Sequence, residues 1–194
     1  LWLYGGVGSG NYFIREWDIT SLTPFTVGTF RDISFPPGIL NLGNNVSSKI
    51  TFTGNNPIVR TNGTINASGT YATLIFNNST GNFTLPNNLF NNTTVTRLQV
   101  NMPTTGSTLT LNNQNITVSQ LLLTKGHLAV GSGNLTFGEL NSTFGNSTLN
   151  NTSMIVTPNA GFLCHNYPVG ETSSVIFPLG ETTGTTEYTP LTLG

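Results

Sequence analysis

From about residue 62 the chain alternates apolar and polar residues over short stretches closed by Asn, Gly or Pro, as at Leu74-Ile75-Phe76, Phe83-Thr84-Leu85 and Leu98-Gln99-Val100. A two-residue period sends successive side chains to opposite faces of a strand, and Asn, Gly and Pro supply the turns between strands. Propensity points the same way. The β-branched residues Val, Ile and Thr number 55, whereas Ala, Glu and Lys together number 11. The pattern predicts an all-β chain of many short strands.

A longer period lies over the short one. Residues 108–126 (TLTLNNQNITVSQLLLTKG) written above 127–145 (HLAVGSGNLTFGELNSTFG) match Leu109 with Leu128, Leu111 with Val130, Asn115 with Asn134 and Ile116 with Leu135. Thr117 with Thr136, Val118 with Phe137, Leu121 with Leu140 and Gly126 with Gly145 follow at the same offset of 19. A weaker third copy sets Leu149, Met154 and Val156 after Val130, Leu135 and Phe137, and upstream Leu98 and Val100 precede Ile116 and Val118 by 18. Inward pairs repeated at a period near 20 predict a β-solenoid, in which each turn buries its apolar face only against its neighbours. At roughly 4.8 Å per stacked strand, five or so turns would make a rod segment on the order of 24 Å long. The alternative is an antiparallel β-sandwich, whose strands also alternate but have no reason to repeat in sequence.

The expected organisation is a cap-like β segment at 1–55, solenoid repeats at 56–157 and a C-terminal capping or connecting segment at 158–194. The first segment holds both tryptophans, both aspartates and the charge groups Arg15-Glu16-Trp17-Asp18 and Arg31-Asp32. Charges on a strand edge discourage edge-to-edge pairing, which suits a cap. The glycine-rich opening Gly5–Gly10 lies far from any helix signal and reads as a flexible entry, not a phosphate loop. Residue 1 is Leu with no basic and apolar leader after it, so the chain is expected to be a mature or excised piece of something longer.

Composition narrows the chemistry. Charged residues make up 7% of the 194 positions against about 25% in an ordinary domain, while Asn, Thr, Ser and Gly fill 96. A net charge of −1 offers no basic patch for phosphates, so neither nucleic acid nor an anionic membrane surface is an expected partner. No run of 18 apolar residues is present, so no membrane-spanning helix is expected. Catalysis on solenoid turns needs at least two ionisable groups close together. Between Asp32 and Glu139 there is no acidic residue, and Glu139, Glu171, Glu181 and Glu187 each stand alone in polar sequence. The chain is therefore read as not an enzyme, with no cofactor. His127 and His165 are 38 positions apart, which is two periods of 19 and would put them in one column. Two turns is roughly 10 Å, too far to share a metal. Cys164, the single cysteine, is read as a small buried hydrophobe or as an intermolecular link.

Asn-x-Ser/Thr begins at 14 positions, where random placement of the 26 asparagines would give about 6. In Asn82-Phe83-Thr84, Asn115-Ile116-Thr117 and Asn134-Leu135-Thr136 the middle residue is apolar, so strand alternation alone can write the motif. N-linked glycans are the other reading, with Asn62, Asn82, Asn115 and Asn134 as candidate acceptors.

Residues 154–193, MIVTPNAGFLCHNYPVGETSSVIFPLGETTGTTEYTPLTL, resemble a recurring element of long repetitive cell-surface and secreted proteins of the Bacteroidota. There an Ile-Val strand and a Gly-apolar turn lead to Phe-Pro-(Val/Leu)-Gly, then Tyr-(Ser/Thr)-Pro and a short apolar-Thr-apolar strand. The matching positions are Ile155-Val156, Gly161-Phe162, Phe177-Pro178-Leu179-Gly180, Tyr188-Thr189-Pro190 and Leu191-Thr192-Leu193. With the KGHLAVGSGNLTF turn upstream, the likeness extends over residues 105–194. The family's usual basic residue near Cys164-His165 is missing here, and dense Asn-x-Ser/Thr is not a family trait. The resemblance implies a large surface protein exported by the type IX route, with an adhesin-like role and with further domains of the same polypeptide as neighbours. Physically, Pro178 and Pro190 end or edge strands, and Phe177 and Tyr188 can plug an open solenoid end.

The expectation is a non-catalytic structural or adhesive segment of an extracellular or cell-surface protein. Two rivals stand beside it: a filament subunit that self-associates, and a β-helix that binds surface glycans.

Overall fold

The computed structural model describes residues 12–13, 17–18, 26–30, 33–35, 39–42, 48–53, 58–60, 62–77, 81–142, 145–158, 160–167, 169–170 and 172–194. The glycine-rich opening and the charged side chains of residues 15–18 and 31–32 lie outside the described residues.

Among the described residues every element is a strand, and the chain climbs as a β-solenoid. Three complete rungs come first: β1 (Tyr12–Phe13), β2 (Trp17–Asp18) and β3 (Thr26–Phe30); β4 (Ile33–Phe35), β5 (Ile39–Asn41) and β6 (Lys49–Phe52); β7 (Ile58–Arg60), β8 (Thr64–Ala67) and β9 (Thr73–Phe76). The next rungs fuse their second and third strands: β10 (Phe83–Thr84) with β11 (Phe90–Asn101), then β12 (Thr108–Thr110) with β13 (Ile116–Lys125). After β14 (His127–Ala129) and β15 (Leu135–Glu139) a small hairpin, β16 (Asn141–Ser142) and β17 (Gly145–Asn146), takes the place of a third strand. The last rung has β18 (Ile155–Val156) and β19 (Leu163–His165), and the chain finishes in β20 (Val175–Phe177), β21 (Leu179–Glu181), β22 (Glu187–Tyr188) and β23 (Leu191–Leu193).

Strands of successive rungs pair in parallel, so apolar residues stack in columns along the axis. One column runs Phe83, Leu109, Leu128, Ile155, Leu179. Others run Ile50, Leu74, Leu98, Leu121 and Phe52, Phe76, Val100, Leu123. Phe52 and Phe76 stack at 4.9 Å between ring centroids. Most of these side chains are fully buried in one continuous core. Parallel pairing excludes the antiparallel sandwich.

The 19-residue offset is real but local. It holds between β12 and β14 and between β13 and β15, as Leu109↔Leu128 and Ile116↔Leu135. Elsewhere the step is longer: Val118 pairs with Val95, Leu121 with Leu98, and Phe137 with His165. The 18-residue upstream match and the weak third copy are therefore out of register; Val156 pairs with Ala129 rather than standing over Phe137. The physical reason is that hydrogen bonding restores the register at each strand while loops outside it vary freely in length. The turn at Gly69–Tyr71 splits β8 from β9, and β11 runs past it as one strand with a register shift between Phe90 and Val95.

The strands at 39–52, placed at the sequence level in a cap, already stack in register on 64–76. At the other end parallel stacking gives way to antiparallel pairs, β21 with β22 and β20 with β23. His127 pairs beside Thr108 in the β10–β12–β14–β18 ladder and His165 beside Phe137 in the other, so the two histidines do not share a column. Cys164 is exposed, not a buried hydrophobe. It points away from the core because Leu163 and His165 occupy the half-buried positions of its strand.

Candidate functional site

Some of the amides that fill the composition are structural. Asn66 Nδ2 donates to Asn41 Oδ1 at 3.0 Å and Asn92 Nδ2 to Asn66 Oδ1 at 3.0 Å, a ladder that climbs the axis one rung at a time. Asn112 Nδ2 donates to Asn87 Oδ1 at 2.8 Å on another edge. Such ladders form when identical amides repeat at the spacing of stacked strands. The candidate acceptors Asn62, Asn82, Asn115 and Asn134 are all exposed. Three of them accept backbone bonds through Oδ1: Asn82 from Thr108 N–H at 2.9 Å, Asn115 from Asn134 N–H at 2.8 Å and Asn134 from Phe162 N–H at 3.1 Å. Their middle residues Phe83, Ile116 and Leu135 are buried, as strand alternation requires.

The motif residues of the C-terminal segment gather at one end. Phe177 is 8 % exposed and meets Phe137 edge-on at 5.4 Å. The Pro178 carbonyl accepts from Ile155 N–H at 2.8 Å, so a residue without a donor still joins the ladder. Gly180 allows close approach, because a Cβ there would overlap Met154 Sδ and the Glu187 carbonyl. Tyr188 packs against Ala129, Met154 and Val156, and burial raises its phenol above the ordinary value. Pro190 is exposed beyond it.

Beside this segment a groove of about 670 Å³ opens between the ends of β13 and β15 and the approach to β20. Phe137, Val175 and Ile176 supply its apolar wall, and Glu139, His165 and Asn166 its polar groups. Glu139 ends a polar column in which Arg97 Nε donates to Gln120 Oε1 at 2.8 Å and Gln120 Nε2 donates to Glu139 Oε2 at 3.3 Å. Arg97 also lies over the Tyr71 ring, 5.3 Å from its centroid. The His165 ring contacts Phe137 at 4.9 Å and Tyr167 at 4.8 Å, and its Nδ1 is buried without a hydrogen-bond partner. One carboxylate and one imidazole on a wall of apolar rings can bind and orient a ligand. Among the described residues no group of three His, Cys, Asp or Glu comes together to hold a metal ion.

The groove escaped sequence reading because Glu139 and His165 look isolated along the chain. A signal was nevertheless present in the sign of the charges. Residues 1–125 carry six bases and three acids, a formal +3, whereas residues 126–194 carry four glutamates and no base, a formal −4. The only charged side chains from residue 126 onward are thus acidic. Phe162, Tyr167, Val169, Ile176, Leu191 and Leu193 are exposed in the C-terminal segment.

Comparison with protein-family models, with curated proteins and with solved structures returns no match to this chain.

Proposed function

We propose that the chain is a non-catalytic structural or adhesive segment of an extracellular or cell-surface protein, a stiff neutral stalk that presents its acidic end. The observation that supports this reading most is the coincidence of two ladders. The apolar columns inside and the amide ladder Asn41–Asn66–Asn92 outside climb the same axis. A surface held by neutral amides keeps its bonds across salt and pH ranges that weaken exposed ion pairs, which suits an exposed stalk. The likeness of residues 105–194 to Bacteroidota surface proteins points the same way.

The test is adhesion under flow. Beads coated with the protein are expected to be retained on cells or on surface polysaccharide, with no release of soluble sugar. Release of cleaved product would replace this reading with a catalytic one. Retention no greater than that of beads coated with an unrelated β-protein would remove the adhesive role and leave only the structural one. A filament subunit is the second reading, favoured by β19, which among the described residues pairs only with β15 and so leaves its other edge open. Fibres visible by electron microscopy would establish it.

A further inference from the structure

We propose that the C-terminal end is a strand-docking site for an extended, basic segment of another chain, laid along β19 with a Lys or Arg in the groove against Glu139. The inference goes beyond the stalk reading and does not depend on it.

Five observations converge on this place. The ladder β13–β15–β19 stops at β19, whose residues pair as Leu135↔Leu163, Thr136↔Cys164 and Phe137↔His165 with no described strand beyond. Strand edges of this kind carry backbone donors and acceptors that another strand can pair. The neighbouring ladder continues further, from β18 to β21, and ends in antiparallel β22.

Apolar side chains flank that edge. Phe162 is 68 % exposed immediately before β19 and Tyr167 is 45 % exposed just after it. A strand added here would cover both with alternate side chains. The groove lies alongside, and its 670 Å³ admits a long side chain. Glu139 is its charged group, and no Lys or Arg lines the groove. The buried, unpartnered His165 Nδ1 is a further polar group that an incoming chain can satisfy.

The groove, with one carboxylate and no base in its lining, favours a basic occupant over an acidic one. Two C-terminal ends facing each other would each bring a formal −4 and repel, and a phosphate backbone would be repelled too. A sugar could use the groove but would leave the strand edge unpaired. A basic extended peptide uses the edge, the apolar flanks and the carboxylate at once.

The experiment uses the intact chain and a fluorescein-labelled, end-blocked peptide Ser-Lys-Val-Thr-Tyr-Thr, a sequence that this chain does not contain, chosen for its alternation, single base and lack of acid. Fluorescence polarisation is read alongside the rate at which iodoacetamide alkylates Cys164, which lies exposed in the middle of the edge. Saturable binding is expected, with Cys164 alkylation slowed at least fivefold. Changing the peptide's Lys to Glu, or N-methylating alternate backbone amides, is expected to weaken binding at least tenfold. Glu139→Gln and Phe162→Ser in the protein should each weaken it about fivefold, with circular dichroism unchanged as the check on folding. Equal binding of the Lys and Glu peptides, indifference to N-methylation, or binding that leaves Cys164 unprotected would overturn the proposal. So would no binding at millimolar peptide. Self-association of the chain that Phe162→Ser abolishes would overturn it in favour of a second copy as the occupant.

Discussion

Gln114 offers the sharpest test of how the corner of a rung is held. It is 8 % exposed, its Oε1 accepts from Leu89 N–H at 3.0 Å, and its Nε2 donates to the Leu111 carbonyl at 3.0 Å. One side chain thus serves backbone groups on its own rung and on the rung below. Gln114→Leu keeps most of the volume but strands both groups in the interior, at about 1–3 kcal/mol each, so about 2–6 kcal/mol in all. With an m value of about 2 kcal/mol/M, the urea midpoint followed by far-ultraviolet circular dichroism should fall by about 1–3 M. Gln114→Glu separates the two bonds. Its Oε1 still accepts from Leu89, but an ionised carboxylate facing the Leu111 carbonyl has no proton to donate. Burial and that carbonyl both raise the folded-state pKa of the introduced acid above its unfolded value of about 4.3. The protonated acid can donate to Leu111, so the stability it contributes is present below about pH 4.3 and is lost as pH rises through the higher folded value. Relative to the parent chain at the same pH, the Glu variant should be nearly as stable at pH 3.5 and as damaged as the Leu variant at pH 8. A Leu variant within 0.5 kcal/mol of the parent, or a Glu deficit that does not change with pH, would refute the reasoning.

Other consequences are simpler to check. A Cβ at Gly133 would overlap the Gln114 carbonyl, whereas Gly106, at φ +79°, has open space around it. Gly106→Ala should therefore cost about 1–2 kcal/mol, the left-handed backbone penalty alone, and Gly133→Ala at least about 3 by the same urea titration. Ser107 Oγ and Ser153 Oγ are buried without partners, so Ser→Ala at either position should leave the melting temperature unchanged or raise it. Because Cys164 is exposed, iodoacetamide should label it fully without denaturant, and Cys164→Ser should shift the urea midpoint negligibly. Comparing ultraviolet titrations of the parent and Tyr188→Phe should show the Tyr188 phenol ionising above pH 10, and its contribution to stability should be present in full below about pH 10 and be lost as pH rises from there through the raised value. A phenol that ionises below pH 10 would mean Tyr188 is not packed on Met154.

The residue pattern carried the strands and the stacking because both depend on local alternation and on like residues recurring at like positions. Ile116 above Leu135 and Val118 above Phe137 were legible in the residues themselves, since the loop between them keeps a 19-residue step. The step from Phe137 to His165 was not, because inserted loop residues shift the count without shifting the hydrogen bonds. Gln114 was hidden for a related reason. A buried amide and an exposed one are written with the same letter, and only the closeness of Leu89 and Leu111 gives this one its partners.

The composition read as a neutral coat; the structure makes part of it a scaffold. Thr, Asn and Gly abundance determined that the chain would be strands and turns with little charge, because backbone propensity and hydrophobic patterning act over a few residues. Which asparagines join into ladders, that β19 ends its ladder beside a groove, and that Glu139 and His165 meet in that groove were decided by stacking. Stacking joins residues about a rung apart in sequence, and the lengths of the intervening loops, which alternation does not constrain, set which residues come to lie side by side.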